Sequence, residues 1–244
     1  GDGALRLIPF STLHDGSRFL IEKYAIVTIP AISLTDTGSV NKKQSDDMLI
    51  AGLSHSRQGF PALPGVTAEL QDISNIMDAG KVLENKTFTT ENLTNEFKEN
   101  EYRTLHIATH GIFGRTPEES FLLTYDDRLT MNELEHLIFL GRFREHQVEL
   151  LTLSACQTAL GNERAAMGLA GVAVKAGVKT AVATLWYVDD EATSLIIKEF
   201  YRQFRTPGIS KAKAMQKAQK KMIAQRRYCH PLYWGPFLLI GNWL

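Results

Sequence analysis

The chain has 244 residues, which is enough for one large α/β domain or two small ones with a well-buried core. Lys and Arg number 27, as do Asp and Glu, so the charge favours neither a nucleic acid nor an anionic membrane as partner. Every uninterrupted apolar run falls well short of the ~20 residues that a membrane span requires. Only two cysteines are present, which argues against a secreted disulfide framework and for a reducing, cytoplasmic location.

In chain order, short apolar runs alternate with segments of helical period. Strands are predicted over residues 24–28, 48–53, 81–83, 104–109, 148–153, 180–185 and 237–240. Helices are predicted over residues 65–77, 90–98, 165–176, 190–204 and 210–227, with Thr90 and Ser210 as N-caps. Residues 122–129 predict a hairpin that turns at Asp126 and Asp127. This alternation indicates an α/β fold, a three-layer α/β/α sandwich with a mostly parallel central sheet.

Two of the predicted strands end close to a reactive side chain. Residues 105–109 run into His110 and Gly111, and residues 148–153 run into Ser154, Ala155 and Cys156. Because functional groups gather beyond the carboxyl ends of parallel strands, an imidazole would lie beside a thiol. That is the arrangement for nucleophilic catalysis, and the His lies roughly 50 residues upstream of the Cys, as in the caspase signature.

Each of these residues also has a structural interpretation. A free cysteine is usually inert packing, and a single histidine is more often structural than catalytic. His106 competes with His110 for the catalytic role, but a side chain in mid-strand falls short of the edge of the sheet. We therefore expect His106 to be structural and His110 to act with Cys156.

The residues around this His and Cys resemble the two signature blocks of CHAT domains. These blocks are residues 106–111 and residues 153–159. CHAT domains are caspase- and separase-like modules that are often attached to tetratricopeptide repeats. The similarity continues through residues 2–10, 63–65, 168–170, 185–190 and 231–237. CHAT domains usually carry one more strand before the opening Asp-Gly turn, so residues 1–244 are expected to be a single CHAT domain cut from a longer protein.

This resemblance implies the caspase–hemoglobinase fold and a cysteine endopeptidase. Cys156 would be the nucleophile, and His110 the general acid/base that protonates the leaving amine. The amides of Gly111 and Cys156 would form the oxyanion hole, where the lack of a β-carbon at Gly111 permits close approach.

An acidic pair, Asp189 and Asp190, follows the strand over residues 180–185 and opens the next helix. One interpretation is N-capping and compensation of the helix dipole. The other is substrate choice, since the similar region of separases implies that Asp190 accepts a basic P1 side chain, preferably Arg. Trp186 would line that pocket, and Asp126 and Glu163 are weaker candidates for its acidic floor.

The remaining patterns exclude several ligands and leave two rival functions open. No spacing typical of a metal site or a phosphate-binding loop is present, so no metal or cofactor is expected. The lysines of residues 211–227 match the solvated face of a helix and not a nucleic-acid surface. The expected partners are a protein substrate in a signalling pathway and a regulatory protein or upstream repeat domain.

One rival function is a non-proteolytic or latent interaction scaffold. The other is a Cys-dependent amidase or acyltransferase that acts on small substrates. The presence of both Cys156 and His110 favours the peptidase, because a scaffold does not need this pair.

Overall fold

The computed structural model describes residues 8–29, 47–112, 119–141, 147–154, 177–186 and 188–244. Within these ranges the strands are β1 (Met48–Gly52), β2 (Lys81–Glu84), β3 (Thr104–Ala108), β4 (Gly111–Ile112), β5 (Phe121–Leu123), β6 (Arg128–Thr130), β7 (Leu150–Ser154), β8 (Thr180–Thr184) and β9 (Phe237–Gly241). The helices are α1 (Leu20–Lys23), α2 (Gly65–Met77), α3 (Thr90–Glu99), α4 (Met131–Gly141), α5 (Asp190–Phe204), α6 (Lys211–Ile223) and α7 (Pro231–Trp234).

The central sheet has six strands in the order β2-β1-β3-β7-β8-β9. All neighbouring pairs are parallel except β8 and β9, which are antiparallel. A second sheet of three antiparallel strands, β4-β5-β6, follows β3 directly in the chain. This second sheet contains the predicted hairpin, with its turn between Leu123 and Arg128.

Most of the predicted elements are confirmed, with small shifts at their ends. The N-cap of α3 is Thr89 and not Thr90, because the Thr89 side chain accepts a hydrogen bond from the Asn92 amide. Ser210 caps α6 as predicted, but this helix ends at Ile223. The element α4 is not among those predicted, and the predicted helix over residues 165–176 lies outside the described residues.

Residues 24–28 do not form a strand. Thr28 instead makes a single parallel bridge to Ile240 on the outer side of β9. The Thr28 amide donates to the Leu239 carbonyl, and the Thr28 carbonyl accepts from the Gly241 amide, both at 2.9 Å. This segment therefore covers the β9 edge of the central sheet with one residue.

Helices pack on both faces of the central sheet and give the predicted three-layer sandwich. On one face, which we call the hairpin face, Leu49 and Ile107 pack with α3, α4 and the β5-β6 hairpin. On the other, the α2/α5 face, Ile50 and Leu150 pack with α2, α5 and α6. Side chains of successive strand residues alternate between the two faces. Because both faces are covered, every residue of β1, β3, β7 and β8 is buried. No helix in the described ranges has the length and apolar character that crossing a membrane demands.

A buried polar network lies between the sheet and the α2/α5 face. Glu69 Oε1 on α2 is 3.2 Å from His106 Nε2 on β3, within ion-pair range but without hydrogen-bond geometry. Tyr201 OH on α5 donates to Thr152 Oγ1 at 2.8 Å and lies 3.3 Å from His106 Nδ1. Burial raises the pKa of Tyr201, so its hydroxyl remains a donor. The His106 ring thus lies in the core below the edge of the sheet, where its mid-strand position predicts it.

Removing one member of this buried pair should destabilise the protein strongly. We expect Glu69→Ala to lower the free energy of unfolding by about 3 kcal/mol or more, because His106 then loses the carboxylate that it faces in the core. Urea denaturation provides the measurement. The matched control is Lys198→Ala, which breaks an exposed 2.7 Å pair between Lys198 on α5 and Asp72 on α2 and should cost less than about 1 kcal/mol. Equal losses in the two variants would contradict a special role for the buried pair.

Candidate active site

The parallel strands bring several polar segments to one edge of the central sheet. Gly52 of β1 pairs with Ala108 of β3, and Ala108 pairs with Ser154 of β7, so these three strands end at the same level. The loop after β1, the residues after β3 and the residues after β8 all start from this carboxyl edge. Such an edge is where open α/β sheets place their functional groups.

His110 lies at this edge and its side chain is almost fully buried, with 2% of its surface exposed. Its Nε2 atom is 2.8 Å from the carbonyl oxygen of Pro61. A carbonyl oxygen can only accept, so Nε2 carries the proton of this hydrogen bond. The other ring nitrogen, Nδ1, is buried and has no hydrogen-bond partner within the described ranges. In the neutral ring Nδ1 is therefore the basic nitrogen.

The loop after β1 holds this ring in place. Arg57 and Phe60 exchange backbone hydrogen bonds across a two-residue turn, in which Gln58 and Gly59 have φ angles of 49° and 83°. Two successive positive φ angles are typical of the tight turns of hairpins. The Phe60 ring then packs on the His110 ring, with centroids 5.2 Å apart.

These contacts of Phe60 and Pro61 with His110 are not among the sequence-based predictions. A backbone carbonyl leaves no trace in residue type, so the sequence could not identify the Pro61 acceptor. The one usable signal was the position of the Gln58-Gly59 turn, which comes directly after a strand that ends at the same edge as His110.

Gly111 continues from His110 into the β4-β5 pair. The Leu123 amide donates to the His110 carbonyl at 2.8 Å, and Gly111 is paired with Leu122. In antiparallel pairs, residues that exchange hydrogen bonds alternate with residues that do not. Gly111 falls in the position that does not, so its amide is directed away from β5.

Cys156 lies outside the described residues. The strand that leads to it, β7, ends at Ser154 beside the residues that precede His110, and the Thr109 amide donates to the Ser154 carbonyl at 3.2 Å. The Ser154 hydroxyl is fully buried and, like His110 Nδ1, has no partner in the described part of the chain. The end of β7 and the end of β3 are thus neighbours.

The two aspartates after β8 have separate environments. Asp189 is the N-cap of α5, and its Oδ1 accepts a hydrogen bond from the Ala192 amide at 3.1 Å. Asp190 is the first residue of the helix, half-buried, and its carboxylate makes no hydrogen bond to any described residue. Burial and the charge of Asp189 raise the pKa of Asp190, as does Glu69, whereas His110 opposes the rise. Capping is therefore carried out by Asp189, which leaves the Asp190 carboxylate available.

The first residue of α2 packs directly against Asp190. A β-carbon placed on Gly65 would lie only 3.2 Å from the Asp190 β-carbon. The close approach brings the N-termini of α2 and α5 together on the α2/α5 face of the sheet.

The remaining predicted residues differ in where they lie. Trp186 follows β8, is partly exposed, and its Nε1 donates to the Leu232 carbonyl at 3.1 Å, so its ring is held at this edge. Asp126 accepts hydrogen bonds from the Thr124 hydroxyl and the Thr90 amide, so its carboxylate serves the hairpin turn. Glu163 lies outside the described residues. The described ranges hold no group of three or more side chains suited to a metal ion.

Comparison with known proteins shows what this architecture is similar to. The family model of the CHAT domain matches residues 1–242 of this chain. The solved structure of the Arg-specific cysteine proteinase gingipain R superposes on this chain with a TM-score of 0.55 and 10% sequence identity. A complex of the pro- and mature domains of RgpB from Porphyromonas gingivalis superposes with a TM-score of 0.56, also at 10% identity. At this identity the similarity shows a shared fold, and the expected caspase–hemoglobinase-like fold is confirmed.

The two solved structures are longer than the region they share with this chain. The superpositions cover 82% and 86% of this chain but 48% and 50% of the solved chains. This chain thus spans about half the length of either proteinase chain. Among curated proteins, none matches it in sequence.

The unusual environment of Asp190 can be measured directly by following its side-chain carboxyl resonance in NMR as a function of pH. We expect a pKa above the ordinary value for aspartate, lowered in Asp189→Asn, which removes a repelling charge, and raised further in His110→Ala. Asp126→Asn should leave it unchanged. Because the folded pKa is the higher one, the contribution of Asp190 to stability is present below the unfolded pKa and is lost as pH rises through the folded pKa. An ordinary pKa in the wild type would contradict the buried placement of this carboxylate.

Proposed function

Because the chain belongs to the CHAT domain family, we propose that it is a cysteine endopeptidase that cleaves a protein substrate after a basic residue, preferably Arg. The observation that carries the proposal is the state of His110. Its ring is fixed at the carboxyl edge by the Pro61 carbonyl, and its second nitrogen is buried without a partner in the described part of the chain. A buried ring nitrogen without a partner at the carboxyl edge of the sheet is available to exchange a proton with a reacting group.

The proposed reaction starts from Cys156 and His110. The Cys156 sulfur attacks the scissile carbonyl carbon, and its proton passes to His110 Nδ1. The resulting imidazolium then gives this proton to the leaving amine, so the peptide bond breaks and an acyl-enzyme remains. A water molecule, deprotonated by the same nitrogen, hydrolyses the thioester and restores the thiol. The role of Pro61 is to keep Nε2 as a donor throughout, which leaves Nδ1 for the proton transfer.

The negative charge on the tetrahedral oxygen needs donors that are already in position. The Gly111 amide is suited to this, because it follows His110 directly and is directed away from β5. Glycine also has no β-carbon to obstruct the oxyanion. We assign the second donor to the amide of Cys156, on the family resemblance. Loss of one such donor typically costs about 10²–10³ in kcat.

Specificity for a basic P1 residue rests on Asp190. Its carboxylate is half-buried, makes no hydrogen bond in the described ranges and lies near enough to His110 for their charges to interact. A half-buried carboxylate without a partner is an unfavourable arrangement, which a guanidinium would relieve with two hydrogen bonds. Trp186 would then contact the aliphatic part of the P1 side chain. The structurally similar gingipain R is Arg-specific, which supports the same substrate class here.

The sequence and the family resemblance support a proposed setting for the reaction. The scarcity of cysteine supports a reducing, cytoplasmic location in which Cys156 remains a thiol. The resemblance to CHAT domains supports control by a regulatory protein or by an upstream repeat domain. The substrate would be a component of a signalling pathway.

The first prediction for this function is that Cys156 and His110 act as a unit. Either Cys156→Ala or His110→Ala should lower kcat/KM for an Arg-containing peptide by at least about 10⁴-fold, and the double variant should be no slower, since members of one catalytic unit are not additive. Cys229→Ala, which removes the other cysteine from an exposed position, should retain full activity. Substantial cleavage by Cys156→Ala would refute the assignment.

A second prediction separates Asp190 from Asp189 in cleavage after Arg. Asp190→Asn should lower kcat/KM for an Arg P1 peptide by roughly 100-fold, because the guanidinium then faces a neutral group. Cleavage after neutral residues should change far less. Asp189→Asn is the matched control, because asparagine caps a helix as well as aspartate does and this variant should stay close to wild type.

The pH dependence gives the same test without a mutation. As pH falls through the raised pKa of Asp190, the carboxylate becomes neutral and KM for the Arg peptide should rise. A peptide-library profile dominated by acidic or apolar P1 residues would overturn the acidic pocket.

A further inference from the structure

One cation at the carboxyl edge is not used by the proposed reaction. Arg57 lies in the tight turn after β1, and its guanidinium stacks on the Tyr125 ring, with its carbon 3.7 Å from the ring centroid. Among the described residues no acidic group and no hydrogen-bond acceptor contacts this guanidinium. Its Nε atom is shielded from solvent and also lacks an acceptor there.

Arg57 is only one side chain away from His110. It is paired with Phe60 across the turn, so the two side chains leave the hairpin on the same side, with β-carbons about 4.5–5.5 Å apart. Phe60 in turn packs on the His110 ring. The turn therefore presents an aromatic ring to His110 and a guanidinium beside it.

The position of Arg57 relative to Asp190 is set by the two faces of the sheet. Phe60 and Tyr125 pack against the core on the hairpin face. Asp190 packs against Gly65, at the start of α2, on the α2/α5 face. The edge thus has an anionic side at Asp190 and a cationic side at Arg57, with His110 between them.

The stacked geometry leaves the guanidinium ready to bind a carboxylate. Stacking on Tyr125 occupies the flat face of the group, while the N–H donors lie in its plane and point away from the ring. A carboxylate can accept two of these donors side by side. A shielded donor without an acceptor is unfavourable, and a bound carboxylate would remove that cost.

We propose that Arg57 is a specificity-determining residue that binds an acidic side chain of the substrate, directly adjacent to the basic P1 residue. The proposal rests on the proposed peptidase function for the position of P1. In an extended substrate successive side chains point to opposite sides, so a P1 side chain directed towards Asp190 sends its neighbours at P2 and P1′ towards Arg57. The preferred sequence is therefore a basic residue with Asp or Glu immediately before or after it.

The experiment compares peptides that differ only at the position next to Arg. Four peptides carry Asp or Asn at P2, or Asp or Asn at P1′, around the same Arg P1. In the wild type, the Asp peptide should have a kcat/KM about tenfold higher than the Asn peptide at one of the two positions, as expected for one charge-assisted hydrogen-bonded pair. Because Arg57 is partly exposed, this ratio should fall as salt is raised.

The variants assign the preference to Arg57. Arg57→Gln should reduce the Asp-to-Asn ratio to about one, and Arg57→Lys should keep an intermediate ratio, because it retains the charge but loses the paired donors. Lys86→Gln is the matched control: it removes an exposed positive charge beside Asn85, which binds the same loop, and the ratio should remain. Urea denaturation of Arg57→Gln verifies that the variant is folded.

Binding to Cys156→Ala, measured by calorimetry with the same peptides, separates this proposal from the proposed catalysis. In one outcome the wild type cleaves none of the peptides, yet Cys156→Ala binds the Asp peptide about tenfold more tightly than the Asn peptide, and this difference depends on Arg57. The Arg57 site then stands and the peptidase assignment falls. Four results would each overturn the Arg57 site. They are equal kcat/KM values for the Asp and Asn peptides at both positions, an Asp-to-Asn ratio that does not depend on salt, a preference for Asp that persists in Arg57→Gln, and no binding of any peptide.

Discussion

The common direction of the parallel strands determines where the candidate functional residues of this protein lie. Strands β1, β3, β7 and β8 run parallel and in level register, so the chain emerges from all of them at a single edge. Parallel strands need long crossovers, and α2, α3 and α4 lie in such crossovers, while α5 and α6 lie in the connection from β8 to β9. The same constraint that forces a three-layer architecture thus collects the turn after β1, His110, the end of β7 and the start of α5.

At that edge, hydrogen bonds with the backbone define the chemistry of individual side chains. The Pro61 carbonyl sets which nitrogen of His110 carries a proton, and the N-cap hydrogen bond of Asp189 leaves its neighbour Asp190 uncommitted. In both cases an ordinary element of secondary structure, a tight turn or a helix start, satisfies one polar group and leaves an adjacent one available. When one of two neighbouring polar groups is hydrogen-bonded within the fold, the other can remain unpaired and bind a ligand.

Much of this arrangement could be predicted from the sequence, because apolar runs and reactive side chains at their ends are local patterns. The strands that lead to His110 and Cys156, the helix that starts at Asp190 and the hairpin around Asp126 all follow from such patterns. The Pro61 acceptor, the pair Glu69–His106 and the stacking of Arg57 on Tyr125 do not, because each depends on two distant segments meeting in space. The helix cap at Thr89 in place of Thr90 shows that even a local signal is ambiguous when two capping residues are adjacent.

The single bridge that Thr28 makes to the outer side of β9 has a consequence for self-association. An uncovered edge strand offers unpaired amides and carbonyls to any other extended chain, which is a common route to aggregates and exchanged strands. Here the backbone of the same polypeptide already occupies the groups of Leu239 and Gly241 that face outward. The segment around Thr28 therefore hinders the pairing of β9 with a strand of another molecule. A shortened version of the domain that begins after this segment would expose the edge of β9 and aggregate more readily in concentrated solution.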